Sequence, residues 1–258
     1  PVAQQPASAQ PVAQQSASAQ PVAQQPAWKR HYSRGDDISE SYPHVQWVNR
    51  GTDLEPQQPI GGFASPIDQD VPLPNSIYSL LRHPNGKSTE VLYTDQLEIA
   101  VLRRRFYWFD PGTGELLEKY RPGARGKTQF LCYIKCADGT FGPVKLTFTG
   151  LAGAYFNAAR HEFAKAVRKA TGGKAPSYVF WMRVAAGQPI WVGKGDHKSL
   201  ITPPMWDRDF DPDRDFIGSG MVDAICWDEV DRWAEVYRPK MLNGDSGEEY
   251  EEAVEDTF

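Results

Sequence analysis

From Leu97 onward the chain alternates apolar and polar residues with a period of two, and the first such run, LEIAVLRRRFYWF, predicts a long β-strand. Leu97, Ile99 and Val101 fall on one side. Arg103, Arg105 and Tyr107 continue that parity past a point where the strand has to bend or bulge. In TQFLCYIKC, Phe130, Cys132, Ile134 and Cys136 share one face while Leu131, Tyr133 and Lys135 share the other. After ADGT, the run GPVKLTFTG sets Val144, Leu146 and Phe148 against Lys145, Thr147 and Thr149. Two alternating runs around Asp138-Gly139 predict a β-hairpin, because an Asp-Gly pair accepts the positive φ of tight hairpin turns.

The period then changes. In LAGAYFNAARHEFAKAVRKATGG, Leu151, Tyr155, Ala159, Phe163 and Val167 recur near helical spacing, Arg160, Lys165, Arg168 and Lys169 occupy other faces, and Gly172-Gly173 stops the helix. SYVFWMRV predicts a strand, a Gly-rich loop holds WVGKGDHKSL, and MVDAICWDEVDRWAEVYRPK predicts a second amphipathic helix stopped by Pro239. This order of three strands, a helix and two strands, with an appended C-terminal helix, predicts a mainly β fold with some α. It is that of a five-stranded Greek-key oligonucleotide-binding barrel with its helix between the third and fourth strands. The barrel core spans 97–206, an irregular Pro- and Gly-rich arm with short strands spans 28–96, and an acidic loop and helix span 207–242.

Both ends read as unfolded. PVAQQPASAQ, PVAQQSASAQ and PVAQQPAWKR repeat every ten residues with no face to bury, so 1–27 is a low-complexity leader. Residues 243–258 hold seven carboxylates, no basic residue and too few apolar side chains to offset the cost of ordering the backbone.

The formal charge of −5 conceals segregation. From Lys87 to Lys198 eighteen Lys and Arg face nine Asp and Glu, whereas from Asp207 to Asp231 nine acids face Arg208 and Arg214 alone. A basic middle and an acidic end point to a polyanionic partner and to an acidic segment that masks the basic surface or seeks partners of its own. Three cysteines, an odd number, argue for a reducing compartment, and no apolar run is long enough to span a bilayer, so the expected location is the cytoplasm without membrane contact.

Enzyme signatures fall short. RPGARGKT has Arg121 where a phosphate loop needs its first glycine and precedes a strand, so Lys127 and Lys194 read as basic loop residues. Cys132 and Cys136 share a strand face two pleats apart and read as core thiols. In WDRDFDPDRDF, Pro212 replaces the glycine of a calcium loop, which leaves a solvated acidic loop. None of the five histidines stands at nucleophile or metal spacing, so neither catalysis nor a cofactor is expected.

Cations interleaved with aromatics do stand out, in RRRFYWF, FLCYIK, YVFWMRV and PIWVGKG. A groove for single-stranded nucleic acid needs cations along the backbone and flat rings on which bases stack. The candidate binding residues are Arg103, Arg105, Tyr107, Lys127, Tyr133, Lys135, Lys145, Trp181, Arg183, Trp191 and Lys194.

The barrel-like order, the cation and aromatic strands, the low-complexity leader and the acidic tail with Phe258 together resemble bacterial and phage single-stranded DNA-binding proteins of the oligonucleotide-binding type. That resemblance implies a protein that coats single-stranded DNA. It also implies recruitment of replication or repair enzymes through a tail containing Glu251, Glu252, Glu255, Asp256 and Phe258. VQWVN, IGGF, KLTFTG, YVFWMRV and KSLITPP also resemble an uncharacterised family of phototrophic bacteria and phages. RNA in a phage or CRISPR-associated nucleoprotein complex and a non-catalytic protein scaffold are the alternative readings. A homo-oligomer is compatible with all three.

Overall fold

The structure, a computed structural model, describes residues 42–83, 86–117, 119–193, 198–223, 225 and 227–235. The Pro- and Gly-rich arm supplies β1 (His44–Val48), β2 (Leu54–Glu55), β3 (Gly62–Pro66), β4 (Ile77–Arg82) and β5 (Ser88–Thr94). The alternating runs become β6 (Gln96–Phe109), β7 (Leu116–Leu117), β8 (Arg125–Lys135) and β9 (Phe141–Thr149), with the hairpin turn at Gly139 in positive φ as its Asp-Gly pair predicts. Then follow α1 (Leu151–Ala170), β10 (Met182–Ala186), β11 (Ile190–Val192), β12 (Ser199–Ile201), β13 (Pro204–Trp206), α2 (Ser219–Asp223) and α3 (Trp227–Glu235).

Eleven strands form one sheet in the order β13-β10-β6-β8-β9-β1-β3-β5-β4-β2, with β7 beside β6, while β11 and β12 pair separately. The pairing of β1 with β9 is parallel and the other pairings are antiparallel. The sheet curls into an open half-barrel.

This corrects the expected five-stranded barrel. Such a barrel closes when its first strand meets its last, and here β1 takes the free edge of β9 and leads the sheet on into β3, β5, β4 and β2. The arm hid this because its strands are short and interrupted by Pro56, Pro59, Pro66, Pro72 and Pro74, which weaken the period-two signal.

One face of the sheet carries the main core. Ile99, Phe130, Cys132, Ile134, Val144, Leu146 and Phe148 pack there against Phe156, Phe163 and Val167 of α1. The helix comes close at Gly153, where a Cβ would lie 2.6 Å from the Thr128 hydroxyl oxygen, so glycine is required for contact at that depth. Leu151 is exposed and Tyr155 only half-buried, so the buried stripe is rotated from the predicted one and runs through Gly153, Phe156, Phe163 and Val167. Arg160 falls on that stripe between the two phenylalanines.

The opposite face is covered at one end by the C-terminal helices, with Leu102 and Leu131 packed on Ile225, Val230 and Trp233. At its other end Val48, Leu54, Ala64, Leu81, Val91 and Tyr93 form a smaller core. The long C-terminal helix expected from the sequence is two shorter helices, α2 and α3, with residues 236–240 outside the described region.

Candidate nucleic-acid interface

The register of β6 on β8 slips between Val101 and Arg103. A bulge inserts one unpaired residue, so side-chain parity inverts across it. Val101 pairs with Cys132 on the core face, whereas Arg103, Arg105 and Tyr107 pair with Leu131, Gln129 and Lys127 on the other. Lys145 and Arg183 reach that second face through their registers with Leu131 and Glu98, and Trp181 packs there on Ala100. The bulge thus gathers Arg103, Arg105, Tyr107, Lys127, Tyr133, Lys135, Lys145, Trp181 and Arg183 on one face of the sheet.

Much of that face is covered by the chain's own acidic end. Arg103 donates from Nε and Nη2 to Asp231 of α3 at 2.8 and 2.5 Å. Arg183 donates to Asp215 at 2.7 Å and lies within ion-pair distance of Glu98, Asp207 and Asp209. Lys135 pairs with Glu98 at 2.6 Å. Glu98, Lys135, Arg183 and Asp207 border a cleft of about 470 Å³ between β6, β8 and β10. Asp207, Asp209 and Asp215 of WDRDFDPDRDF therefore hold arginines, and the expected solvated loop is pinned by Asp215, which is buried and also receives two bonds from Arg214.

Two candidates are buried and do not line an open surface. Trp181 is 9 % exposed and sits under Met221, and Arg105 is 6 % exposed beneath α3. The structural reason is the same in both cases: the C-terminal helices close over the sheet there.

Arg105 instead begins a polar ladder across four strands. Its Nε donates to Gln129 Oε1 at 2.8 Å, Gln129 Nε2 donates to the Thr147 hydroxyl at 3.0 Å, and that hydroxyl lies 3.0 Å from His44 Nε2. Burial, followed by the positive charges of Lys145 and Lys127, pushes the His44 pKa down to about 4, so the ring is neutral near pH 7. Burial also lowers Lys127, whose ammonium lies 4.6 Å from the centre of the Phe109 ring, and β8 rather than a loop carries it.

The core-side face of the same ribbon carries a second set. Beyond the bulge Arg104, Phe106 and Trp108 alternate opposite Phe130, Thr128 and Gly126. The Phe106 ring lies over Gly126, where a Cβ would come within 2.9 Å of it. Phe106 meets Trp108 edge-on at 4.9 Å, and Trp108 meets Tyr120 at 5.0 Å. Phe106 is 37 % and Tyr120 62 % exposed.

Arg160 of α1 adds a cation beside this set. Sequence reading missed the group because continuing the parity across the bulge directed attention to the wrong alternate residues. The available signal was an arginine seven residues after Gly153, at the spacing of the buried helix stripe.

Trp191 is 68 % exposed on the separate β11–β12 pair, away from the main sheet's register. Lys194 and the tail residues Glu251, Glu252, Glu255, Asp256 and Phe258 lie outside the described residues. Among the described residues no helix is long and apolar enough to cross a membrane. Comparison with protein-family models, curated proteins and solved structures finds no match to this chain.

Proposed function

We propose that this chain is a non-catalytic protein that binds single-stranded DNA along the ribbon of β6 and β8. One observation carries the reading: beyond the bulge the ribbon presents Arg104, Phe106 and Trp108 in alternation, with Tyr120 and Arg160 alongside and the Phe106 and Tyr120 rings open to solvent. Rings of this kind accept any base face, and guanidinium groups between them meet phosphates. Tyr107 and Lys127, on the reverse of the same ribbon, add an aromatic ring and a cation.

The acidic segment that pairs with Arg103 and Arg183 supports a division of labour. It neutralises the sheet face near α3, which leaves the far end of the ribbon as the binding surface. In this reading the tail of Glu251, Glu252, Glu255, Asp256 and Phe258 recruits replication or repair enzymes, and the protein works in the cytoplasm.

Quenching of tryptophan fluorescence by oligo-dT and oligo-U, across a series of salt concentrations, tests the proposal. Binding to oligo-dT should weaken steeply with salt, with a logarithmic slope of about −0.7 per phosphate neutralised. Tighter binding to oligo-U transfers the reading to RNA. Absence of binding to either at low salt overturns it.

A further inference from the structure

Arg160 occupies an unusual place for a guanidinium. It follows Phe156 by one helical turn, and Phe156 packs on Phe130 with ring centres 4.6 Å apart. Phe130 is the register partner of Arg104 on β6. Helix and strand therefore bring two arginines from opposite sides of one aromatic contact toward the same space. Burial lowers the pKa of Arg160, and the like charge of Arg104 lowers it further, in keeping with that placement.

Its hydrogen bonding is incomplete. Nη2 donates to Asn157 Oδ1 at 3.1 Å and to His161 Nε2 at 3.2 Å. Among the described residues the enclosed Nε has no hydrogen-bond partner and no carboxylate neutralises the group. An arginine cannot shed its charge to relieve this arrangement. Water could satisfy the N–H, whereas an oxyanion would satisfy it and also meet the charge of Arg160, for which the described residues supply no carboxylate.

We propose that Arg160 and Arg104 form a seat for a phosphoryl group between α1 and β6. A phosphate presents oxygens in several directions, so it can accept from the Arg160 Nε–H and from Arg104 at once, which a singly directed neutral acceptor cannot. Asn157 and His161 hold the Arg160 guanidinium in place through Nη2. Phe106, next but one to Arg104 on the same face, lies where an aromatic group attached to that phosphate would stack. The inference rests on the strand-binding reading only for the source of the phosphate: a nucleic-acid backbone in one case, a free phosphoryl compound in the other.

The test follows the arginine Nε–H resonances of the full-length ¹⁵N-labelled protein, with that of Arg160 assigned by its loss in Arg160→Lys. Inorganic pyrophosphate and oligo-dT are titrated separately. Pyrophosphate should move the Arg160 resonance and bind at least about tenfold more weakly to Arg160→Lys and to Arg104→Gln. If oligo-dT moves the same resonance, the seat holds a strand phosphate. If oligo-dT binds without moving it, the seat belongs to a free phosphoryl compound and the inference still holds. If oligo-dT does not bind while pyrophosphate does, the strand-binding reading fails and the seat stands. A resonance that neither ligand moves overturns the seat, and so does undiminished pyrophosphate binding by Arg104→Gln, a substitution at an exposed strand position.

Discussion

Arg105 lies with its guanidinium carbon 4.0 Å from the centre of the Trp233 ring and donates from Nη1 to the Trp233 carbonyl oxygen at 3.0 Å. One cation thus fixes both the side chain and the backbone of the C-terminal helix to the sheet. Trp233 is fully buried, and Val230 and Ile225 extend the contact onto Leu102 and Leu131. A stretch with nine acids between Asp207 and Asp231 is held on a basic sheet by an apolar anchor in addition to ion pairs.

Trp233→Ala should therefore cost about 3–5 kcal/mol of stability, the range for removing a large buried aromatic side chain. Urea denaturation followed by far-UV circular dichroism measures it. A loss below about 1 kcal/mol would mean that α3 is not anchored on the sheet in solution.

The neighbouring ion pair should behave differently. Arg103 and Asp231 are each about half exposed, at 48 % and 50 % of their side chains, so solvent screens their attraction. Asp231→Asn should change stability by less than about 1 kcal/mol in the same denaturation experiment. A loss comparable to that of Trp233→Ala would place the anchor in the charges.

Asp215 is a buried carboxylate with two arginines on it. Burial pushes its pKa up, but bonds from Arg214, the Asp211 amide and Arg183 more than offset that and leave it below the ordinary value. Asp215→Ala leaves Arg183 partly buried without its closest partner, and a loss of about 3–5 kcal/mol is expected. Thermal melts of Asp215→Ala and Asp215→Asn check this, with Asn recovering part of the loss through its amide oxygen.

His44 gives a pH signature. The unfolded chain protonates this imidazole near pH 6.5, whereas the native ring takes a proton only near pH 4. Between those values the unfolded state binds more protons, so native stability falls as pH drops through the window, by an amount on the order of 3 kcal/mol. His44→Gln keeps a polar partner for Thr147 and removes the titration. Stability measured from pH 7 to pH 4 should fall steeply in the wild type and follow a flatter profile in the variant. Identical profiles would show that His44 does not carry the pH dependence.

The parts of this fold legible in the sequence are those where one period holds for a whole element. The Asp138-Gly139 hairpin and the helix stopped at Gly172-Gly173 are such cases, and both occur, the hairpin strands as Arg125–Lys135 and Phe141–Thr149 and the helix as Leu151–Ala170. Cys132 and Cys136 are buried thiols, as their shared face predicts, and burial pushes Cys136 up to about 11. The sheet's extent was not legible, because pairing β1 with β9 in parallel depends on residues some hundred positions apart, about which local alternation carries no information. The candidate site was half legible. LEIAVLRRRFYWF announces a bulge by the break in its apolar series, but not which arginine goes to which side. That choice is set by the β8 register, with Arg103 opposite Leu131 and Arg104 opposite Phe130.

That choice also makes the binding surface testable by comparing two aromatic residues. Tyr133 was singled out by its parity with Lys135, yet it is half-buried against the contacts of Leu102 and Trp181. Phe106 is on the open side of the ribbon. Phe106→Ala and Tyr120→Ala should each weaken single-strand binding by about 1–3 kcal/mol through the lost stacking. The melting temperature of Tyr120→Ala should stay near the wild-type value, since that ring is mostly exposed, whereas Phe106→Ala also loses packing on Gly126 and Trp108 and should melt somewhat lower. Tyr133→Ala should do the reverse, lowering the melting temperature while the folded fraction binds oligo-dT with nearly unchanged affinity. Arg104→Ala should reduce the logarithmic salt slope by about one contact. Fluorescence titrations paired with thermal melts for the four variants decide the matter. If Tyr133→Ala abolishes binding in a folded protein while Phe106→Ala and Tyr120→Ala bind normally, the strand runs over the face beneath α3 and the open side of the ribbon is not the interface.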